Sequence, residues 1–143
     1  MESQTATHHD AEIILKLYDL RREEVLRKAR HWLTFEFKPK TVDEISALAQ
    51  NPTSKESTYY RQVITYWEMA ASLVLRGAVN ANLFLDSQGE GLAIYAKFYA
   101  FREEIQARSG RPFMRHTAQM IEKFPEAQAV FDTILKAQQA RAR

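Results

Sequence analysis

The stretch Tyr66–Leu75 constrains this chain most. In ten residues it holds one carboxylate, Glu68, and no cation. Tyr60, Val63, Ile64, Trp67, Ala70, Ala71 and Val74 fall on one helical stripe, and Met69, Leu73 and Leu75 carry apolarity to the opposite side. A helix apolar nearly all round must be covered by its neighbours. The spacing therefore predicts a central helix over about 55–76, capped by Ser54 and closed by Gly77. Runs of strict alternation and the dipeptides Asn-Gly and Asp-Gly are missing elsewhere in the chain. The expected fold class is all-α: an irregular bundle of about five to six helices around that central one. The length predicts a single helical domain over 1–143, with frayed termini at about 1–9 and 140–143.

Local punctuation sets the other helices. Asp10 is the expected cap of a first helix over about 11–33, with a stripe of Ile13, Ile14, Leu17, Tyr18, Val25, Ala29 and Trp32. Its charge block contains Glu23–Arg27 and Glu24–Lys28 at i to i+4, the spacing of a solvated face. Phe35, Phe37 and Pro39 mark an extended connection. Thr41 and Glu44 fit the capping box of a short second helix to about 49. Residues 79–85 read as one helical turn or a compact loop after the central helix. A fourth helix follows over about 88–108, with Ile94, Tyr95, Phe98, Phe101 and Ile105 as its stripe. A fifth begins at Pro112, and a sixth begins at Pro125 and reaches about 139.

Composition excludes several chemistries. There is no cysteine, so thiol nucleophiles, disulfides, zinc-thiolate sites and iron–sulfur clusters are ruled out. The net charge of +2 is scattered, with acids interleaved among the bases, so nucleic acid is not an expected partner. Met1–Asp10 is polar and has no apolar leader core, and no run approaches the ~20 apolar residues of a membrane span. The expected location is cytoplasmic. The chain has no phosphate loop, dinucleotide fingerprint, nucleophile elbow or His-Glu-x-x-His. Lys28 and Phe113 stand three residues before His31 and His116, where a helical di-iron site needs Glu. His8 and His9 read as tail residues rather than metal ligands, and Gly89-Glu90-Gly91 as helix-start punctuation. No catalytic residue, metal or cofactor is expected.

Two lone charges remain inside apolar arcs. Glu68 lies beside Ile64, Ala71 and Leu75 on the wheel, and Arg102 beside Phe98 and Ile105. A buried carboxylate needs a partner, and a guanidinium among aromatics suits one. Glu68 and Arg102 are therefore expected to pair. The plain reading is a structural ion pair. The sharper one is the polar floor of a ligand pocket whose candidate residues are Glu68, Arg102, Tyr66, Tyr95 and Tyr99. In a third reading, either charge snorkels to solvent.

Tyr66-Trp67-Glu68-Met69, then Leu73 and Gly77, Asn82-Leu83-Phe84, Gly89, the aromatic run Tyr95–Phe101, and Arg108 followed by Pro112 form an order of their own. Over about 60–123 it resembles an uncharacterised bacterial family of small all-helical proteins, some with an added N-terminal membrane helix. This chain departs in lacking that helix and in having Tyr95-Ala96 where a Tyr-Trp-like pair stands. The resemblance implies a helical fold and no assigned reaction. The function expected from the residues is a non-catalytic interaction or scaffold module, a homodimer or a binder of a protein partner. Trp32–Phe37 and Phe113–His116 are the expected contact surfaces. The alternative is a small-ligand-binding protein or cryptic enzyme with a pocket over Glu68 and Arg102.

Overall fold

The computed structural model describes residues 5–142. The outermost parts of the expected frayed tails, 1–4 and 143, lie outside the described residues. The helices are α1 (His8–Arg21), α2 (Glu24–His31), α3 (Val42–Gln50), α4 (Lys55–Leu75), α5 (Ala81–Ser87), α6 (Glu90–Phe98), α7 (Arg102–Ser109), α8 (Arg115–Lys123) and α9 (Pro125–Arg141). A π-helical turn, Trp32–Glu36, follows α2, and a 3-10 turn, Tyr99–Phe101, joins α6 to α7. The described residues contain no strand. The fold class is all-α, with α4 at the centre.

Helix α4 forms where the sequence places it. The Ser54 hydroxyl accepts from the Ser57 amide at 3.1 Å, and Gly77 follows the helix at φ 78°, a left-handed turn that a Cβ would strain. Val63, Trp67, Ala70, Ala71 and Val74 are almost fully buried. Helices α8, α2 and α6 cover them, joined by α3 and the π turn. Gly91 lets α6 approach most closely: a Cβ there would stand 3.1 Å from Trp67 Cβ. Its value is this close approach, beyond the punctuation read from the sequence.

The helix count exceeds six because two predicted helices break and one connection winds up. The first break is electrostatic. Glu23 is extended, and its carboxylate accepts from the Val25 and Leu26 amides at 3.1 and 2.9 Å, restarting the chain as α2. The restart shifts the apolar phase. Leu26, Ala29 and Leu33 are buried, while the predicted Val25 is exposed and Trp32 half-buried. Glu24–Lys28 forms at 3.0 Å as expected, whereas Glu23 is taken up by the cap. The second break falls among Tyr95, Phe98, Tyr99 and Phe101, whose rings pack in different directions. The 3-10 turn lets Tyr95 and Tyr99 both reach Phe131, at 5.6 and 5.2 Å between centroids. Residues 79–85 contribute α5, started by Asn80, whose side chain accepts from the Leu83 amide at 2.9 Å.

Three further boundaries move. The cap of α1 is Thr7, with Asp10 at the third helical position, so His8 and His9 are helical rather than tail. Asp10 also accepts from the Asn80 amide at 2.9 Å, tying α1 to α5. The Trp32–Phe37 segment is wound rather than extended, with the Phe37 amide donating to the Trp32 carbonyl at 2.9 Å. Helix α8 begins at Arg115, after a left-handed Met114 at φ 45°, and Pro112 stays in the preceding turn. The capping half in which Glu44 accepts from the Thr41 amide is present at 3.0 Å. Among the described residues no helix is long and apolar enough to cross a membrane.

Candidate functional site

Glu68 and Arg102 do not pair; each is satisfied by a helix end. Met114 has no side-chain acceptor for the exposed amides that open α8. Glu68 supplies one from α4. Its carboxylate accepts from the His116 amide at 3.0 Å and from the Thr117 amide and hydroxyl at 2.9 and 2.7 Å. His116 Nδ1 stands 3.4 Å away. A carboxylate at a helix N-terminus gains both the hydrogen bonds and the positive end of the helix dipole. Arg102 solves a different problem. Its Nη1 donates to the Tyr99 carbonyl at 2.7 Å, and its guanidinium lies 3.7 Å over the Tyr99 ring. Glu103 is its nearest acid, at 3.9 Å and exposed.

Three of the five predicted ligand residues come together. Tyr95, Tyr99 and Arg102 line a cleft of about 280 Å³, with Ile121, Gln128 and Phe131 opposite. Burial pushes the Tyr95 phenol above its ordinary range; Arg102 pulls it down and Glu68 pushes it further up. Tyr95 thus stays a neutral donor at neutral pH. The cleft is an aromatic box edged by one cation, Arg102, and one carboxylate, Glu122, with room for a small planar group. Glu68 and Tyr66 lie outside it.

Tyr66 belongs to another cluster. Its hydroxyl donates to the Leu17 carbonyl, tying α4 to α1, and burial pushes its pKa up to about 12. Beside it, Arg30 of α2 meets Glu90 of α6. Arg30 Nε donates to the two carboxylate oxygens at 2.9 and 3.1 Å, and Nη2 to one of them at 2.6 Å. Trp67 Nε1 donates to the same carboxylate at 3.3 Å. Both charged side chains are 22% exposed. The bidentate pair expected of Glu68 and Arg102 is thus made by Arg30 and Glu90. The available signals were Arg30 on the buried side of its helix and Glu90 at a helix start, near a tryptophan that needs an acceptor.

Lys97 is a second residue that sequence reasoning missed. Its ammonium donates to the carbonyls of Leu33 and Phe37, fastening the end of the π turn. Burial, with Lys38 nearby, pushes it down to about 8. Among the described residues no three His, Asp or Glu side chains form a group that could hold a metal ion.

Comparison with protein-family models gives a match to residues 6–124, which takes in α1 to α8. The chain belongs to the family described as Domain of unknown function (DUF4760). The matched region reaches well upstream of the resemblance at 60–123. It takes in the Arg30–Glu90 pair and the cap that Glu68 gives α8, and it stops before α9, which supplies Gln128 and Phe131 to the aromatic cleft. No curated protein and no solved structure matches the chain.

Proposed function

We propose that this chain is a non-catalytic interaction module that binds a second copy of itself through the corner formed by α1, α2 and the π turn. One observation carries the reading. Leu15, Tyr18, Leu20, Val25 and Phe35 are exposed, Leu15 and Phe35 at 68% and 63%, and all five lie within 21 residues of sequence. Met69 of α4 is the other large apolar side chain left in water among the described residues. Large apolar side chains left in water and concentrated in one stretch of chain support a partner surface there. The charges around them are mixed: Glu12, Asp19, Glu23 and Glu24 alternate with Lys16, Arg21, Arg22, Arg27 and Lys28. A two-fold interface must be complementary to itself, and a mixed surface satisfies that where a single-sign surface would repel.

This shifts the contact surface expected from sequence. Phe113 and Met114 are buried, and Trp32 stacks on Phe37 at 4.8 Å, which leaves Phe35 as the outward ring of that group. The setting we assign is a cytoplasmic homodimer, on the sequence grounds given above. Sedimentation velocity of the full chain across micromolar concentrations is the test. Dimer mass in the native chain, and monomer mass in Leu15→Glu with unchanged circular dichroism, supports the reading. Monomer mass throughout sinks it.

A further inference from the structure

A second opening, larger than the aromatic cleft, lies between α3, α4 and α7. Its volume is about 640 Å³, within the span of roughly 300–1,000 Å³ in which small-molecule sites fall. Ile45 and Leu48 of α3, Pro52 of the following connection, Tyr60 of α4 and Ile105 of α7 make its apolar walls. The helices are strapped at one rim, where Arg108 donates to Asp43 at 2.7 Å and to Ser46 at 3.4 Å. All of its lining falls within the family-matched region.

Two polar groups decide what such a cleft would hold. The Tyr60 side chain is half-buried, and burial pushes its pKa up to about 12. Its hydroxyl accepts and donates no hydrogen bond among the described residues and reaches solvent at the opening, where a ligand can meet it. Arg61, an exposed residue, also lines the cleft and has no ion-pair partner among the described residues. Arg108, the other cation there, is neutralised by Asp43 and Glu104 at 2.7 and 2.8 Å. No carboxylate lines the opening. Over the apolar walls the cleft thus offers neutral polar groups, Tyr60, Ser57 and Gln50, and one unpaired cation, Arg61.

We propose that this cleft binds an apolar monocarboxylate, with its acyl or aryl body against Ile45, Leu48 and Ile105 and its carboxylate taken by Arg61 or Tyr60. An alcohol of the same body would leave the guanidinium uncompensated, and an alkylammonium would be repelled by it. A second copy of the chain is the less fitting occupant, because the exposed apolar residues gather on α1, α2 and the π turn.

The test is calorimetric titration of the full chain with decanoate, decanol and decyltrimethylammonium below their micellar concentrations, with thermal unfolding alongside. Decanoate is expected to bind at one saturable site and to raise the unfolding temperature, because it binds the folded state alone. Decanol should bind roughly tenfold more weakly, the loss of one charge-assisted hydrogen bond, and Arg61→Gln should weaken decanoate by about the same factor. Ala49→Trp fills the opening from an exposed position and should abolish binding; Gln50→Trp repeats the test from the same rim should Ala49→Trp fail to fold. The proposal is overturned if decanoate does not saturate, if decyltrimethylammonium binds equally well, or if both tryptophan variants retain decanoate affinity. It is also overturned if those variants lower the sedimentation mass, which would put a second copy in the cleft.

Discussion

Arg30–Glu90 and Glu68–Arg102 present the same elements in two arrangements: a carboxylate and a guanidinium on two different helices, each side chain only partly exposed. In the first, the charges meet bidentately between α2 and α6, with the Trp67 N–H completing the carboxylate's partners. In the second they stay apart, Glu68 on the amides that open α8 and Arg102 on the carbonyl and ring of Tyr99. The difference teaches that a half-buried charge has two kinds of partner. One is an opposite charge. The other is the orphan backbone of a helix that starts or breaks beside it. Arg30 and Glu90 lie where α2 and the start of α6 each pack against α4. Glu68 lies under the left-handed residue that opens α8, which has donors to fill and no side chain to fill them.

The sharpest way to break this contrast is Glu90→Ala. It strands the Arg30 guanidinium and removes the acceptor of Trp67, and should cost about 3 kcal/mol in urea unfolding. Replacing Arg30 by Met and Glu90 by Leu together should cost much less, since neither charge is left unpaired. A cost under about 1 kcal/mol for Glu90→Ala would put the pair on the level of a surface ion pair and erase the contrast.

Glu68→Ala comes next. It removes a cap rather than a counter-charge, so about 1–2 kcal/mol is expected. Glu68→Gln keeps one acceptor oxygen and should cost roughly half as much. Amide exchange at His116 and Thr117 reads the local event: both should exchange faster in Glu68→Ala. Unchanged exchange at both amides would mean that the cap is not made in solution.

The smallest effect sharpens the comparison most. A double-mutant cycle on Glu68 and Arg102 should give a coupling energy within about 0.5 kcal/mol of zero, the additivity of separate sites. Arg102→Ala alone should cost at most about 1 kcal/mol, its guanidinium being 33% exposed on a tyrosine face. Coupling well above that would show the two charges meeting after all.

Sequence by itself determined the helical class, the place and extent of α4, and the local starts and stops: Ser54, Gly77, the Glu44 half of the capping box, and Pro125 opening α9. These rest on periodicity and on hydrogen bonds made within one turn, so neighbouring residues suffice to specify them. Part of the aromatic cleft was legible for the same reason, because Tyr95, Tyr99 and Arg102 share one stretch of chain. Tertiary structure decided the rest. The cap by Glu23 used an acid that the i to i+4 pattern had assigned to Arg27, because hydrogen bonds to two orphan amides at a restarting helix outweigh one solvated ion pair. The partners of Glu68 are 48 and 49 residues away, and the carboxylate that pairs with Arg30 is 60 away. At such separations the identity of a charge says that it needs a partner. Which helix end or opposite charge supplies one depends on how the helices pack over α4.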